Sequence, residues 1–114
     1  MTVLLVDDNE LLLVTRKLIF ERAGYHVIAA QSGATALSLF DAHPIDVAVV
    51  DYYLPDMNGE EVCRAIKARN SHVHVVLASG MIPAEVPQCA DYFVLKGGSP
   101  LELVNKVTEI TRAA

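Results

Sequence analysis

The stretch Val47-Ala48-Val49-Val50-Asp51, followed by a loop containing Pro55, Asn58 and Gly59, decides the fold of this chain. Four consecutive apolar residues ending abruptly in a carboxylate describe a strand buried on both faces, as in a parallel sheet covered by helices. After the loop, Val62, Cys63 and Ile66 recur at helical spacing, and Asn58 with Glu61 three residues on suits a capping box. The same strand-then-helix pattern repeats upstream. Val3-Leu4-Leu5-Val6 stops at Asp7-Asp8-Asn9, and Leu11, Val14 and Leu18, with Leu12 and Ile19 beside them, then repeat at helical spacing up to a stop at Gly24. Val27 to Ala30 reads as a strand. Ser32-Gly33 opens a helix with Ala36, Leu37 and Phe40 on one face, closed by Pro44.

Downstream, Val73 to Ala78 runs into Ser79-Gly80, and Tyr92-Phe93-Val94-Leu95 runs into Lys96. Ser99 as N-cap and Pro100 at the first helical position begin a last helix that buries Leu103, Val107 and Ile110. Five strands alternating with helices predict an α/β fold with a parallel sheet covered on both sides.

At 114 residues the chain is expected to form one domain, over residues 1–114, around one core. Hydrophobic residues are 53% and charged residues 20%, a balance that excludes a disordered chain. Nine Lys and Arg against fourteen Asp and Glu give a net charge of −5, with no basic run to follow a phosphate backbone, so direct nucleic-acid binding is not expected. No apolar run approaches the roughly 18 residues that span a bilayer. The acidic pair within eight residues of Met1 is unlike a signal peptide, and Cys63 and Cys89 form no CxxC pair, so a reducing, cytoplasmic setting is expected.

In an open parallel sheet, ligands bind beyond the carboxyl ends of the strands. Asp7 and Asp8 follow the first strand, Asp51 the third, Ser79 the fourth and Lys96 the fifth, so all can meet at one sheet edge. Crowded carboxylates repel one another unless a divalent cation neutralises them, and an oxygen-only donor set favours Mg²⁺ or Mn²⁺ over zinc. A carboxylate beside such a cation can attack a phosphoryl group, with Lys96 as a point charge and Ser79 as a hydroxyl donor. His72 and His74 lack further ligands and read as surface residues. Cys63 and Cys89 read as small hydrophobes.

This order of residues resembles the CheY-like receiver domain of bacterial two-component response regulators over essentially the whole chain. The resemblance implies a flavodoxin-like, doubly wound five-stranded parallel sheet of order 2-1-3-4-5. It makes Asp51 the phosphoacceptor, Asp8 a direct Mg²⁺ ligand, Asp7 a ligand acting mainly through water, and the backbone carbonyl of Tyr53 the remaining protein ligand. Ser79 becomes the switch hydroxyl, Gly80 its small neighbour, Phe93 the switch aromatic and Lys96 the phosphoryl-stabilising lysine; Pro55 and Gly59 match the loop. The implied partners are a histidine kinase or histidine phosphotransfer protein as donor, an output domain or downstream protein, and a second copy in a homodimer. The implied role is a signalling switch that catalyses at most its own phosphoryl transfer and dephosphorylation.

Two departures stand out. Only ten residues, Met81 to Ala90, separate Gly80 from Asp91, and they include Pro83 and Pro87, so the family's fourth helix is expected to be short or absent and the segment remodelled and mobile. Gly97-Gly98 follows Lys96 where the family usually has proline, which leaves the lysine less firmly placed. Two rival readings remain. A haloacid-dehalogenase-type phosphohydrolase usually carries an Asp where this chain has Tyr53, and a receiver-like interaction module without phosphorylation has no need of the acidic trio.

Overall fold

The computed structural model describes residues 1–81, 85 and 87–112. Five strands, β1 (Thr2–Val6), β2 (His26–Ala30), β3 (Val47–Asp51), β4 (His74–Ser79) and β5 (Tyr92–Leu95), form one parallel sheet in the order β2-β1-β3-β4-β5. Four helices accompany them: α1 (Glu10–Arg22), α2 (Gly33–Ala42), α3 (Gly59–Arg69) and α4 (Pro100–Arg112). This is the expected CheY-like, flavodoxin-like arrangement. Among the described residues no helix lies between β4 and β5. Ile82, Pro83, Ala84 and Val86, on which the expectation of a remodelled segment falls, lie outside the described residues.

Side chains of a strand alternate between faces, and that alternation sorts the core into two layers. Leu4, Val6, Ala48, Val50, Val75 and Leu77 face α2 and α3, where Ala36, Val62, Cys63 and Ile66 cover them. Val3, Leu5, Val47, Val49 and Val76 face α1 and α4, under Leu13, Phe20, Leu103, Val104 and Val107. The central strands are enclosed on both sides, which explains their unbroken apolar runs.

Helix α1 departs from the sequence expectation. Its inward residues are Leu13, Arg16 and Phe20, whereas Leu11, Val14 and Leu18 are 78%, 50% and 55% exposed. Both sets have the spacing i, i+3, i+7, so apolar periodicity alone did not select the face. Phe20 fixes it from below by meeting Tyr25 edge-on at 5.4 Å between ring centroids.

The starts at Ser32 and Asn58 follow the sequence, and Asn9 caps α1 in the same way. Asn9, Ser32 and Asn58 accept from the backbone N–H of Leu12, Thr35 and Glu61, each three residues on. An unforeseen cap comes from Asp56 in the loop after β3, whose carboxylate accepts from the N–H groups of Gly33 and Ala34 at 2.9 and 2.8 Å. These bonds hold its carboxyl below the usual carboxylate range. That loop is thereby tied to the start of α2. Asp91 ties β5 to its neighbours: its Oδ2 accepts from Lys67 Nζ and Val75 N–H, both at 2.8 Å.

Candidate functional site at the carboxyl edge of the sheet

Register places the strand ends side by side. Val6 pairs with Val50, so Asp7 and Asp51 emerge from adjacent strands, and Ser79 pairs with Leu95, next to Lys96. Parity then divides the residues. Asp7 continues the face of Val3 and Leu5, Asp51 that of Val47 and Val49, and Lys96 that of Val94, all toward α1 and α4. Ser79 and Phe93 belong to the opposite parity, and Phe93 packs half-buried against the α2–α3 layer.

The charges meet around Lys96. Its Nζ lies 2.9 Å from Asp51 Oδ2, to which it donates, and 3.0 Å from Asp7 Oδ2. Asp7 Oδ2 is enclosed and has charged neighbours but no aligned hydrogen-bond donor among the described residues. Carboxylate oxygens of Asp7, Asp8 and Asp51 all fall within 4.8 Å of one another. Asp7 and Asp51 are buried, while Asp8 is exposed at the mouth. Asp51 Oδ1 accepts a long 3.4 Å bond from Tyr53 N–H, and the Tyr53 side chain points to solvent.

Burial raises the Asp51 carboxyl above its ordinary value; the hydrogen bond from Lys96 opposes this and the nearby Asp7 charge adds to it. Burial also disfavours the Lys96 ammonium, but its contacts with Asp51 and Asp7 outweigh that and raise it. The lysine is held charged by the acids it balances.

Close backbone approach fixes Asp51. Gly59 N–H donates to Tyr52 O at 2.6 Å, and a Cβ on Gly59 would stand 2.6 Å from Asp51 O and 2.8 Å from Tyr52 Cα. Only glycine lets the loop fold back on the strand end. On the lysine side, Gly97 adopts φ +96°, the left-handed region that favours glycine. Ser79 is buried, and its Oγ accepts from Met81 N–H at 3.3 Å. No hydrogen bond joins it to the carboxylates among the described residues. His72 is exposed, His74 is half-buried, and burial, with Cys89 adding to it, pushes the Cys63 thiol up, in keeping with residues that take no part here.

Arg16 is the residue that sequence reading missed. It is buried at 6% exposure on the inward face of α1, and its Nη1 stands 3.7 Å from Asp7 Oδ2. Burial lowers its pKa from the ordinary arginine value, opposed by the charges of Asp7 and Asp51. The signal was a cation three residues after Leu13 and four before Phe20, on the alternative phase of the helix.

A family model described as the response regulator receiver domain matches residues 3–108. The chain is 29% identical over 117 residues to the sensory transduction protein RegX3 of Mycobacterium tuberculosis H37Rv, covering 97% of this chain and 51% of that protein. It thus spans about half the length of the curated relatives it matches. Among solved structures, a CheY-like receiver domain protein from Methanospirillum hungatei superposes with a TM-score of 0.93 at 26% identity, covering 98% of this chain and 94% of that one. The response regulator TrrA of Thermotoga maritima, solved in complex with Mg²⁺-BeF, does so with a TM-score of 0.88 at 25% identity over 96% and 97%. Among the described residues no helix is long and apolar enough to cross a membrane. The ordered acids at the sheet edge, the parallel 2-1-3-4-5 sheet and the matched 106-residue span agree: the chain belongs to the response regulator receiver domain family of two-component systems.

Proposed function

We propose that Asp51 is a phosphoacceptor and that the chain, as one receiver domain over residues 1–114, is a phosphorylation-dependent signalling switch. The observation that carries this reading is Lys96 Nζ at 2.9 Å from Asp51 and 3.0 Å from Asp7, a cation set between a candidate nucleophile and a neighbouring acid. A carboxylate oxygen of Asp51 attacks the phosphorus of a phosphohistidine on a histidine kinase or histidine phosphotransfer protein. The P–N bond breaks, and the imidazole nitrogen leaves with its electron pair. Lys96 moves with the transferred charge and neutralises a phosphoryl oxygen.

The donor set fits a hard divalent cation. Three carboxylates converge within 4.8 Å, and the enclosed Asp7 Oδ2 lacks a hydrogen-bond donor. Asp7, Asp8, Asp51 and the Tyr53 carbonyl are the residues that would hold Mg²⁺ or Mn²⁺, and TrrA, which was solved with Mg²⁺-BeF, supports the assignment by similarity. When bound, the ion shields the carboxylates from the incoming anion. Ser79 gives up its Met81 contact to donate to the phosphoryl group, and Phe93 follows from the same face of the sheet. The changed surface serves a homodimer, an output domain or a downstream protein in the cytoplasm, and no external substrate is turned over.

Incubation with acetyl phosphate and Mg²⁺, read by intact mass, tests this. One phosphoryl adduct is expected on the native chain and none on Asp51→Asn. No adduct under any donor would mark a phosphorylation-independent interaction module, and sustained phosphate release from esters would mark a phosphohydrolase.

A further inference from the structure

Lys96 also lines a cavity of about 840 Å³ between α1, β5 and α4. Leu12 and Arg16 come from α1, Val94 from β5, and Leu103 from α4. The Gly97-Gly98 turn leaves the space open, because a Cβ on Gly98 would meet nothing closer than Glu102 Oε2 at 3.5 Å. Arg16 lines it too, more than nine-tenths buried and without a hydrogen bond among the described residues. Its ionic neighbour Asp7 stands 3.7 Å away, beyond hydrogen-bond distance. A guanidinium carries five N–H donors, and Arg16, which lines the cavity and uses none of them in a hydrogen bond among the described residues, can offer them to an acceptor there.

We propose that this cavity binds a small-molecule monocarboxylate with a short apolar chain, the carboxylate on Arg16 and the chain against Leu12, Val94 and Leu103. The chemistry of the wall selects this class. A guanidinium matches the planar carboxylate in bidentate fashion. Every cation of the wall has an acidic neighbour, Lys96 at 2.9 and 3.0 Å in Asp51 and Asp7 and Lys106 at 3.5 Å in Glu109 and over the Tyr92 ring at 4.6 Å, and Arg16, at 3.7 Å from Asp7, has the longest of these contacts. Glu102 adds a negative charge to the same wall, which penalises a phosphate dianion more than a monoanion. The inference goes beyond the phosphoryl reading and does not rest on it.

Titration of ¹⁵N-labelled protein with sodium octanoate, without Mg²⁺ or phosphodonor, tests it. Saturable shifts are expected at the amides of Gly97, Gly98 and Leu103, with uncharged 1-octanol binding about tenfold more weakly. Arg16→Met, which keeps the length and apolar contacts of the side chain, should weaken octanoate about tenfold and leave octanol unchanged. Gly98→Leu should fill the space and abolish both, and it carries the test if the Arg16 variant fails to fold. The proposal is overturned if shifts do not saturate, if they centre on Leu11, Val14 and Leu18, if Arg16→Met binds octanoate as the native chain does, or if inorganic phosphate binds more tightly than octanoate.

Discussion

Strands β3 and β5 each end in a charged residue of the pocket, and they hold it in different ways. All five residues of β3 are buried, and the strand is paired on both sides, to β1 and β4. Strand β5 has four residues, none of them buried, pairs among the described residues with β4 alone, and runs into two glycines. The core therefore fixes Asp51, whereas Lys96 is placed largely by the two carboxylates it contacts. Under the proposed phosphoryl transfer this division has a use: a nucleophile that does not move, and a counter-charge that changes partners as negative charge moves off the donor.

The comparison yields a ranking of destabilisation, measured by chemical denaturation. Gly59→Ala should be the most damaging, by about 3 kcal/mol, because the new Cβ meets the backbone of Asp51 and Tyr52 and not a flexible side chain. A loss under 1 kcal/mol would mean that the end of β3 yields more readily than its burial implies. Val49→Ala removes methyl groups from the α1–α4 layer and should cost about 2 kcal/mol.

On the β5 side the effects should be smaller. Gly97→Ala forces a Cβ into the left-handed region and should cost about 1.5 kcal/mol; a cost as large as that of Gly59→Ala would erase the contrast between the strands. Asp91→Ala should cost about 1 kcal/mol, mainly because Val75 N–H loses its acceptor, since the Lys67 pair is partly screened by solvent.

That last effect carries a pH signature. Burial opposes ionisation of Asp91, but the bonds from Lys67 and Val75 prevail and hold its carboxyl below the ordinary 3.8. A depressed carboxyl stabilises the fold above its unfolded value and ceases to as pH falls through the folded one. The difference between native chain and variant should therefore be constant near neutrality and shrink below pH 3.8, as urea midpoints taken at successive pH values will register. A difference that grows on acidification would reverse the sign and remove Asp91 as the tie.

Much of this was legible in the sequence because the central strands are buried on both faces and write their apolar runs without interruption. The acids and the lysine were legible for a related reason, since each stands directly after such a run. Arg16 was hidden because α1 carries two apolar stripes of identical spacing, and only the acidic neighbourhood of Asp7 favours the stripe that contains a cation. Asp56 and Asp91 act across 22 and 16 residues, on Ala34 and Val75, and local pattern does not report such contacts. Gly97-Gly98 reads as loosening Lys96, and the cavity beside it was not legible because it depends on how α4 meets α1.

The short β5 has one more consequence. It is an outer strand of the sheet among the described residues, and an outer strand's backbone edge is a template on which a foreign chain could add a strand and seed aggregation. Four residues between Asp91 and Lys96 make that edge brief. The brevity of β5, which leaves Lys96 to its carboxylates, therefore also makes the outer edge a poor template for growth of the sheet.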